Sequence, residues 1–319
     1  MAMAYVFDRG RLKYGYKLLR GADFENKGEI DVELRDARFR LLEEKMPDVL
    51  NIHDWHEFIK SVMAAGYHSG DLILSRNAIF YSYAMYLIAK HRFHVPDIEN
   101  QNLTALWFFM ASLKSLYVGS FESTVENHLN ALKELSTAEE YREFIVKRVR
   151  EEMTDDFFNI TLLGTNGLEV AGRGNNAWCA YVASLIVLGR KVLFATHNIP
   201  VAKLCEIGTD GNRKSLEKHH IFPKAYLRSL QYKDSMINQM ANYALIDWKD
   251  NMEILDGAPA DYYKEVRKNF TEEELAEMER ENALPHGWEN MQYETFLAKR
   301  RELMAKVIRE AYEELLKKV

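Results

Sequence analysis

The apolar periodicity of this chain constrains its fold more than any other feature. From about residue 31 to residue 135 the apolar positions recur at helical spacing, while Gly66, Gly70, Pro96 and Gly119 fall at the joints between periods. A segment patterned at 3.6 residues presents one stripe to a core and cannot bury one face of a sheet, so this half is expected to be a helical bundle. The run Ala78-Ile79-Phe80-Tyr81-Ser82-Tyr83-Ala84-Met85-Tyr86-Leu87-Ile88 is apolar on nearly every side. It is expected to be a central, buried helix whose aromatics belong to the core. Further helices are expected over 103–117, 137–153 and 177–188. The glycines at 164, 167, 172 and 174 lack the GxxxxGK[ST] pattern of a phosphate loop and read as a loop entering the last of these helices.

Between 193 and 256 the texture changes to shorter segments. Val192-Leu193-Phe194-Ala195 is followed by a turn at Asp210-Gly211-Asn212 and by a short His-Ile-Phe segment stopped by Pro223. Only this part of the chain offers a plausible strand pair. After Pro259 helical texture returns, strongly charged over 272–282. Over 293–316 Phe296, Leu303, Val307, Ile308 and Tyr312 form an apolar stripe expected to pack back on the bundle. The fold class is therefore mainly α, a helical bundle with a small embedded module. The expected division is 1–30 as an N-terminal extension or artificial start, 31–192 as the helical domain, 193–256 as the module and 257–319 as C-terminal helices.

Composition limits the functions open to such a chain. With 319 residues, 47% of them hydrophobic, core material is ample. A net charge of -6 argues against coating nucleic acid through bulk charge, so contact with DNA would need a local basic patch. Cys179 and Cys205 have no CxxC spacing and read as buried thiols. No signal peptide is legible, and no apolar run reaches the roughly 20 residues of a membrane span. The expectation is a cytoplasmic protein without a membrane segment.

The stretch Lys214-Ser215-Leu216-Glu217-Lys218-His219-His220-Ile221-Phe222-Pro223-Lys224 carries the most chemical information. Hydrolysis of a phosphodiester needs a base to activate water, a cation to neutralise developing charge and cationic groups to hold flanking phosphates. Adjacent histidines in an extended segment point to opposite faces, so one can turn to a metal and the other to the attacking water. Arg213, Lys214, Lys218, Lys224, Arg228 and Lys233 face only Glu217 before Asp234, which makes a basic patch in an acidic chain. Of these, Lys214, Lys218, Lys224 and Arg228 are the expected phosphate contacts. Asn242 and Asn251 follow; a carboxamide oxygen can ligate a divalent ion without titrating, and a carboxamide can also hold a histidine loop through its backbone.

His-His-Ile-Phe-Pro-Lys, then Ala-Asn-Tyr-Ala-Leu-Ile-Asp, then Asn251 together resemble the HNH (ββα-metal) nuclease module at the C-terminal end of GmrSD-type type IV restriction endonucleases, which attack modified phage DNA. Leu74-Ser75-Arg76-Asn77-Ala78, Trp107-Phe108-Phe109-Met110-Ala111-Ser112 and Leu284-Pro285-His286-Gly287-Trp288 are similar to flanking segments of such proteins. The resemblance implies His220 as general base, His219 and Asn251 as metal ligands and Asn242 as the residue that orients the base. The implied cofactor is a divalent ion, Mg²⁺ or Mn²⁺, with Ni²⁺, Co²⁺ or Zn²⁺ as alternatives. The implied partners are DNA and a nucleotide-hydrolysing or sensor domain. That domain usually carries a D-G-x-Q-R-like motif, which does not occur here, so NTP hydrolysis is not carried over.

Plainer readings stand beside these. His53, His56, His68, His91, His94, His128, His197 and His286 read as ordinary polar residues. Asn242 alone fits a turn, Asn251 alone a helix cap, and the lysine cluster a solvated surface. Trp107 and Trp178 read as core residues, and Trp248 as either core or a base-stacking platform. The functional alternative is a non-catalytic DNA-binding or partner-docking module that keeps the fold with a degenerate site.

Overall fold

The structure, a computed structural model, describes residues 1–22, 29–165, 167–172, 174–205, 218–246 and 257–319. It is mainly helical and falls into two compact units. One comprises Met1–Ala65, Ser75–Glu152 and Lys318–Val319, the other Gly66–Leu74 and Met153–Lys317. The break at Glu152 groups the helix expected over 177–188 with the strand-bearing segment, whereas the sequence division put the boundary after 192.

The first unit holds α1 (Ala2–Phe7), α2 (Leu12–Leu19), α3 (Val32–Leu50), α4 (Ile52–Ala64), α5 (Arg76–His91), α6 (Asp97–Leu113), α7 (Phe121–Leu132) and α8 (Ala138–Glu152). As the all-round apolar pattern requires, α5 is buried from Ser82 to Ala89 and packs against α4 and α6. Its Tyr83 ring stacks on Trp55 at 3.9 Å between centroids. Asp31 and Asn51 cap α3 and α4 by accepting from the N–H groups of Leu34 and His53. The first residues are folded rather than a loose extension. Ala4 and Tyr5 are buried, α1 packs on α3 and α5, and the buried Glu126 carboxylate accepts from the backbone N–H groups of Gly10 and Arg11 at 2.7 and 3.3 Å.

The second unit contains α9 (Asn176–Val187), α10 (Val201–Leu204), β1 (Lys218–His220), α11 (Lys224–Ser229), α12 (Asp234–Ile237), β2 (Tyr243–Leu245), α13 (Pro259–Val266), α14 (Glu272–Glu281) and α15 (Tyr293–Leu316). Helix α15 lies along α9, as its apolar stripe demands. The buried face runs through Phe296, Arg300, Met304, Val307, Ile308 and Ala311, with Leu303 at its margin. Gly66 is obligatory here. Its φ is 86°, and a Cβ would lie 2.1 Å from the Ala183 carbonyl oxygen of α9.

Strands β1 and β2 form an antiparallel pair with Lys218 opposite Leu245, His219 opposite Ala244 and His220 opposite Tyr243. The strand partner of the histidine segment is thus 243–245 and not Val192–Ala195. Phe194 has a φ of 55°, which interrupts any extended run there; Leu193 contributes one bond, from its N–H to the Leu245 carbonyl at 3.2 Å. Gly164, Gly167, Gly172 and Gly174 lie outside the helices and strands, ahead of α9. The turn expected at 210–212 lies outside the described residues. Among the described residues no helix is long and apolar enough to cross a membrane.

His128 on α7 yields a test of the first unit. It is 5% exposed, the Nε of Arg148 donates to its Nε2 at 3.3 Å, and the Trp107 ring packs edge-on. Burial, aided by the Arg148 charge, pushes its pKa down to about 4. An unfolded chain takes up this proton near pH 6.5, so between about 6.5 and about 4 the unfolded state binds more protons than the folded one. Stability is expected to be unaffected by this group above that window and to fall by about 3 kcal/mol as pH drops through it. Urea unfolding midpoints across pH 4–7 should show a shallower decline for His128→Gln than for the unmodified chain.

Candidate functional site

The local backbone around the paired histidines follows from three residues. His219 and His220 lie on β1, where alternation sends their imidazoles to opposite faces. Pro223 has no N–H to continue the ladder and stands at the start of α11 with a φ of -58°. Asn242 ends the short turn before β2 and is wholly buried.

The Asn242 carboxamide replaces the next rung of the sheet. The Ile221 N–H donates to the Asn242 backbone carbonyl at 2.8 Å, the last main-chain bond between the two segments. Beyond it the Phe222 N–H donates to Asn242 Oδ1 at 2.8 Å, while Asn242 Nδ2 donates to the carbonyls of Phe222 at 3.1 Å and Ile237 at 3.0 Å. One side chain thereby fixes the exit of the histidine strand and the end of α12.

The His220 ring bonds Asn238, its Nε2 lying 3.1 Å from Oδ1, and the Tyr243 hydroxyl donates to the same oxygen at 3.2 Å. The Tyr243 ring lies against the imidazole with centroids 4.5 Å apart. Asn242 acts on the loop and Asn238 on the ring, a division that a reading of Asn242 as the orienting residue merges.

The surrounding backbone carbonyls are held by donors far away in sequence. Tyr262 on α13 donates to Ile221 at 2.7 Å, Tyr293 on α15 to Met236 at 2.8 Å, and Arg300 Nη1 on α15 to Ala241 at 2.8 Å. Arg300 is fully buried, and its Nη2 donates to the Asn282 carbonyl at 3.4 Å. Desolvation lowers its pKa, opposed by Tyr181.

The remaining expected residues divide. Lys224 is exposed at the start of α11. Arg228 is exposed as well but forms an ion pair with Asp234 at 3.2 Å. Lys218 contributes its backbone to β1, and its side chain lies outside what is described, as do Lys214, Trp248 and Asn251. Cys179 and Cys205 are buried free thiols, and burial pushes that of Cys205 up to about 12.

A divalent ion at this site would have the His219 imidazole, on the face of β1 opposite His220, as its described ligand. An imidazole nitrogen and an amide oxygen suit borderline divalent ions whose remaining positions are filled by water or phosphate oxygens. Among the described residues no group of three or more His, Cys, Asp or Glu side chains gathers.

Asn238, Tyr262 and Arg300 were missed in the sequence. Only Arg300 leaves a signal there, as a charge at the i+4 position from Phe296 inside an apolar stripe. Replacing Asn242 by Ala would leave the Phe222 and Ile237 backbone groups buried and unsatisfied. Its expected effect is a loss on the order of 3 kcal/mol, measured by urea unfolding. Comparison of the chain with family models, with curated proteins and with solved structures finds no match to any of them, so the functional reading rests on the residues of this site.

Proposed function

We propose that this chain is a divalent-metal-dependent DNA endonuclease of the HNH type, the effector portion of a GmrSD-like restriction system acting on modified phage DNA. The observation that carries the reading is Asn242. Its carboxamide ties the segment leaving His219-His220 to the turn before β2 through Phe222 and Ile237, which is how an asparagine serves a paired-histidine hydrolase without entering the chemistry. The antiparallel pairing of β1 with β2 accords with the same reading.

In this reading the neutral His220 imidazole accepts a proton from water as that water attacks phosphorus. His219 and Asn251 are the assigned ligands of the divalent ion, which when bound supplies charge stabilisation on the phosphate. Lys214, Lys218, Lys224 and Arg228 hold the flanking phosphates. The Asp234 pairing does not disqualify Arg228, since an exposed ion pair contributes little and a phosphate can compete for the guanidinium. One site cuts one strand per engagement, so the expected product is a nick.

The test is nicking of supercoiled plasmid across a series of divalent metals. His220→Ala is expected to bind DNA normally and to lose nicking by about 100-fold or more. His219→Ala and Asn251→Ala are expected to raise the metal concentration required, with partial recovery at higher metal. Full nicking by His220→Ala, or nicking undiminished by excess chelator, would overturn the proposal. DNA binding without any nicking would mark a non-catalytic binding module instead. Binding should also weaken with added salt, and Lys224→Ala should reduce the slope of log affinity against log salt by about 1.

A further inference from the structure

Residues 9–22 carry Arg9, Arg11, Lys13, Lys17 and Arg20 and no carboxylate, in a chain whose net charge is -6. The fold ties two of these cations to α7. Arg9 pairs with the buried Glu126 at 3.1 Å, and Arg11 donates to Ser123 Oγ at 2.9 Å and to the Tyr14 hydroxyl at 3.2 Å. These bonds, with the Glu126 carboxylate on the Gly10 and Arg11 N–H groups, fix where α2 begins. Its far end is held from α3, where Arg38 Nη1 donates to the Leu18 carbonyl at 3.0 Å. Between them the buried Gly15 lets α1 come close, since a Cβ there would lie 3.0 Å from Met3 Cε.

With both ends fixed, α2 turns one face outwards. Lys13, Tyr16 and Lys17, with Arg20 as the C-terminal cap residue, are exposed at i, i+3, i+4 and i+7, the spacing of neighbours on one helix face. The Tyr16 ring is 64% exposed, and the Arg20 guanidinium lies 5.5 Å from its centroid. The Lys13 ammonium lies 5.5 Å from the centroid of Tyr14. Among the described residues neither Lys13 nor Arg20 pairs with a carboxylate. An aromatic ring held in solvent among cations matches a strand with unpaired bases: phosphates meet the cations and a base stacks on the ring, whereas a duplex keeps its bases inside. From Lys13 to Arg20 the helix rises about 10 Å, which corresponds to roughly three nucleotides of a strand.

We propose that the outer face of α2 is a docking surface for single-stranded DNA, with Lys13, Lys17 and Arg20 on phosphates and Tyr16 stacked on a base. That the strand is DNA rests on the nuclease reading; the cationic, aromatic face does not. An acidic lipid surface also attracts cations, but a helix that lies in lipid presents an apolar face to it. Here Leu18 and Leu19 are half-buried, α2 packs on α1 and α3, and the outward face is three cations and one tyrosine. The surface belongs to the unit that does not contain the paired histidines, so it can be altered without touching them.

The experiment is fluorescence anisotropy of a labelled oligothymidine strand with the full chain, in chelator so that nothing is cut. Tyr16→Ala is expected to weaken binding by about 10-fold or more, and Tyr16→Phe, which keeps the ring, to restore it. Removing both charges with Lys13→Gln and Arg20→Gln should reduce the slope of log affinity against log salt by about 1.4, at about 0.7 for each phosphate contact on a single strand. Irradiation with a strand carrying 5-iododeoxyuridine should crosslink it to the peptide that contains Tyr16. Affinity for a duplex of the same length should change far less with Tyr16→Ala. These side chains are exposed, and unchanged urea midpoints will show that the variants fold. Wild-type affinity and salt slope in both variants, or equal weakening by Tyr16→Ala on single strand and duplex, would overturn the proposal. Binding to phosphatidylserine vesicles that is lost with Lys13→Gln and Arg20→Gln, while oligonucleotide binding is unchanged, overturns it in favour of a membrane surface. Either result leaves the nuclease reading intact if the chain nicks plasmid and His220→Ala does not. A chain that holds the strand through Tyr16 but nicks with no divalent metal supports this surface and overturns the nuclease reading.

Discussion

The candidate site depends on one buried carboxamide. Strands β1 and β2 have three residues each, too few to stand as an isolated pair in water. Asn242 extends them by substituting its side-chain amide for the next peptide group, accepting from Phe222 and donating to Phe222 and Ile237 with no exposure to solvent. In that low-dielectric setting each bond is strengthened and each unsatisfied group is costly, so the segment leaving the histidines has one well-defined course. The register that sets His220 opposite Tyr243 follows from this tie.

A second tier of donors explains why the surrounding helices belong with the site. Irregular backbone that is buried must find partners for its carbonyls, and short segments such as 221–223 and 236–242 supply only some of them internally. Tyr262, Tyr293 and Arg300 do so for Ile221, Met236 and Ala241. Burying a guanidinium carries a large desolvation penalty, offset here by carbonyl acceptors and by the Phe296 ring 5.9 Å away. The C-terminal helices are therefore a scaffold for the histidine loop. Charge elsewhere is used in a similarly local way: in the first unit the buried Asp54 carboxylate is met by Lys90 at 2.7 Å and His91 at 3.1 Å, which satisfies an anion inside a helical core.

Much of the helical fold was legible because helices announce themselves through local spacing. The segment 293–316 coincides with α15, the buried run 78–88 lies within α5, and the charged stretch 272–282 is α14 apart from its last residue. The partner of the histidine strand, 243–245, was not legible, because three-residue strands have no period to detect, and a positive φ at Phe194 has no signature in a phenylalanine. The N-terminal residues read as an extension since helices of six and eight residues are too short to show a helical period, yet Tyr5 and Ala4 are buried and α1 packs on α3 and α5.

By itself the sequence determined a mainly helical chain, the candidate segment and the adjacency of His219, His220 and Pro223, since each is encoded within a few neighbouring residues. Only the tertiary structure decided which strand pairs with the histidines, that Asn242 holds their loop while Asn238 meets the His220 ring, and that Tyr262, Tyr293 and Arg300 satisfy the site's backbone. The physical reason is that hydrogen-bond satisfaction in a buried turn is a long-range condition: the donors lie up to some 60 positions from their acceptors, and no local spacing rule links them.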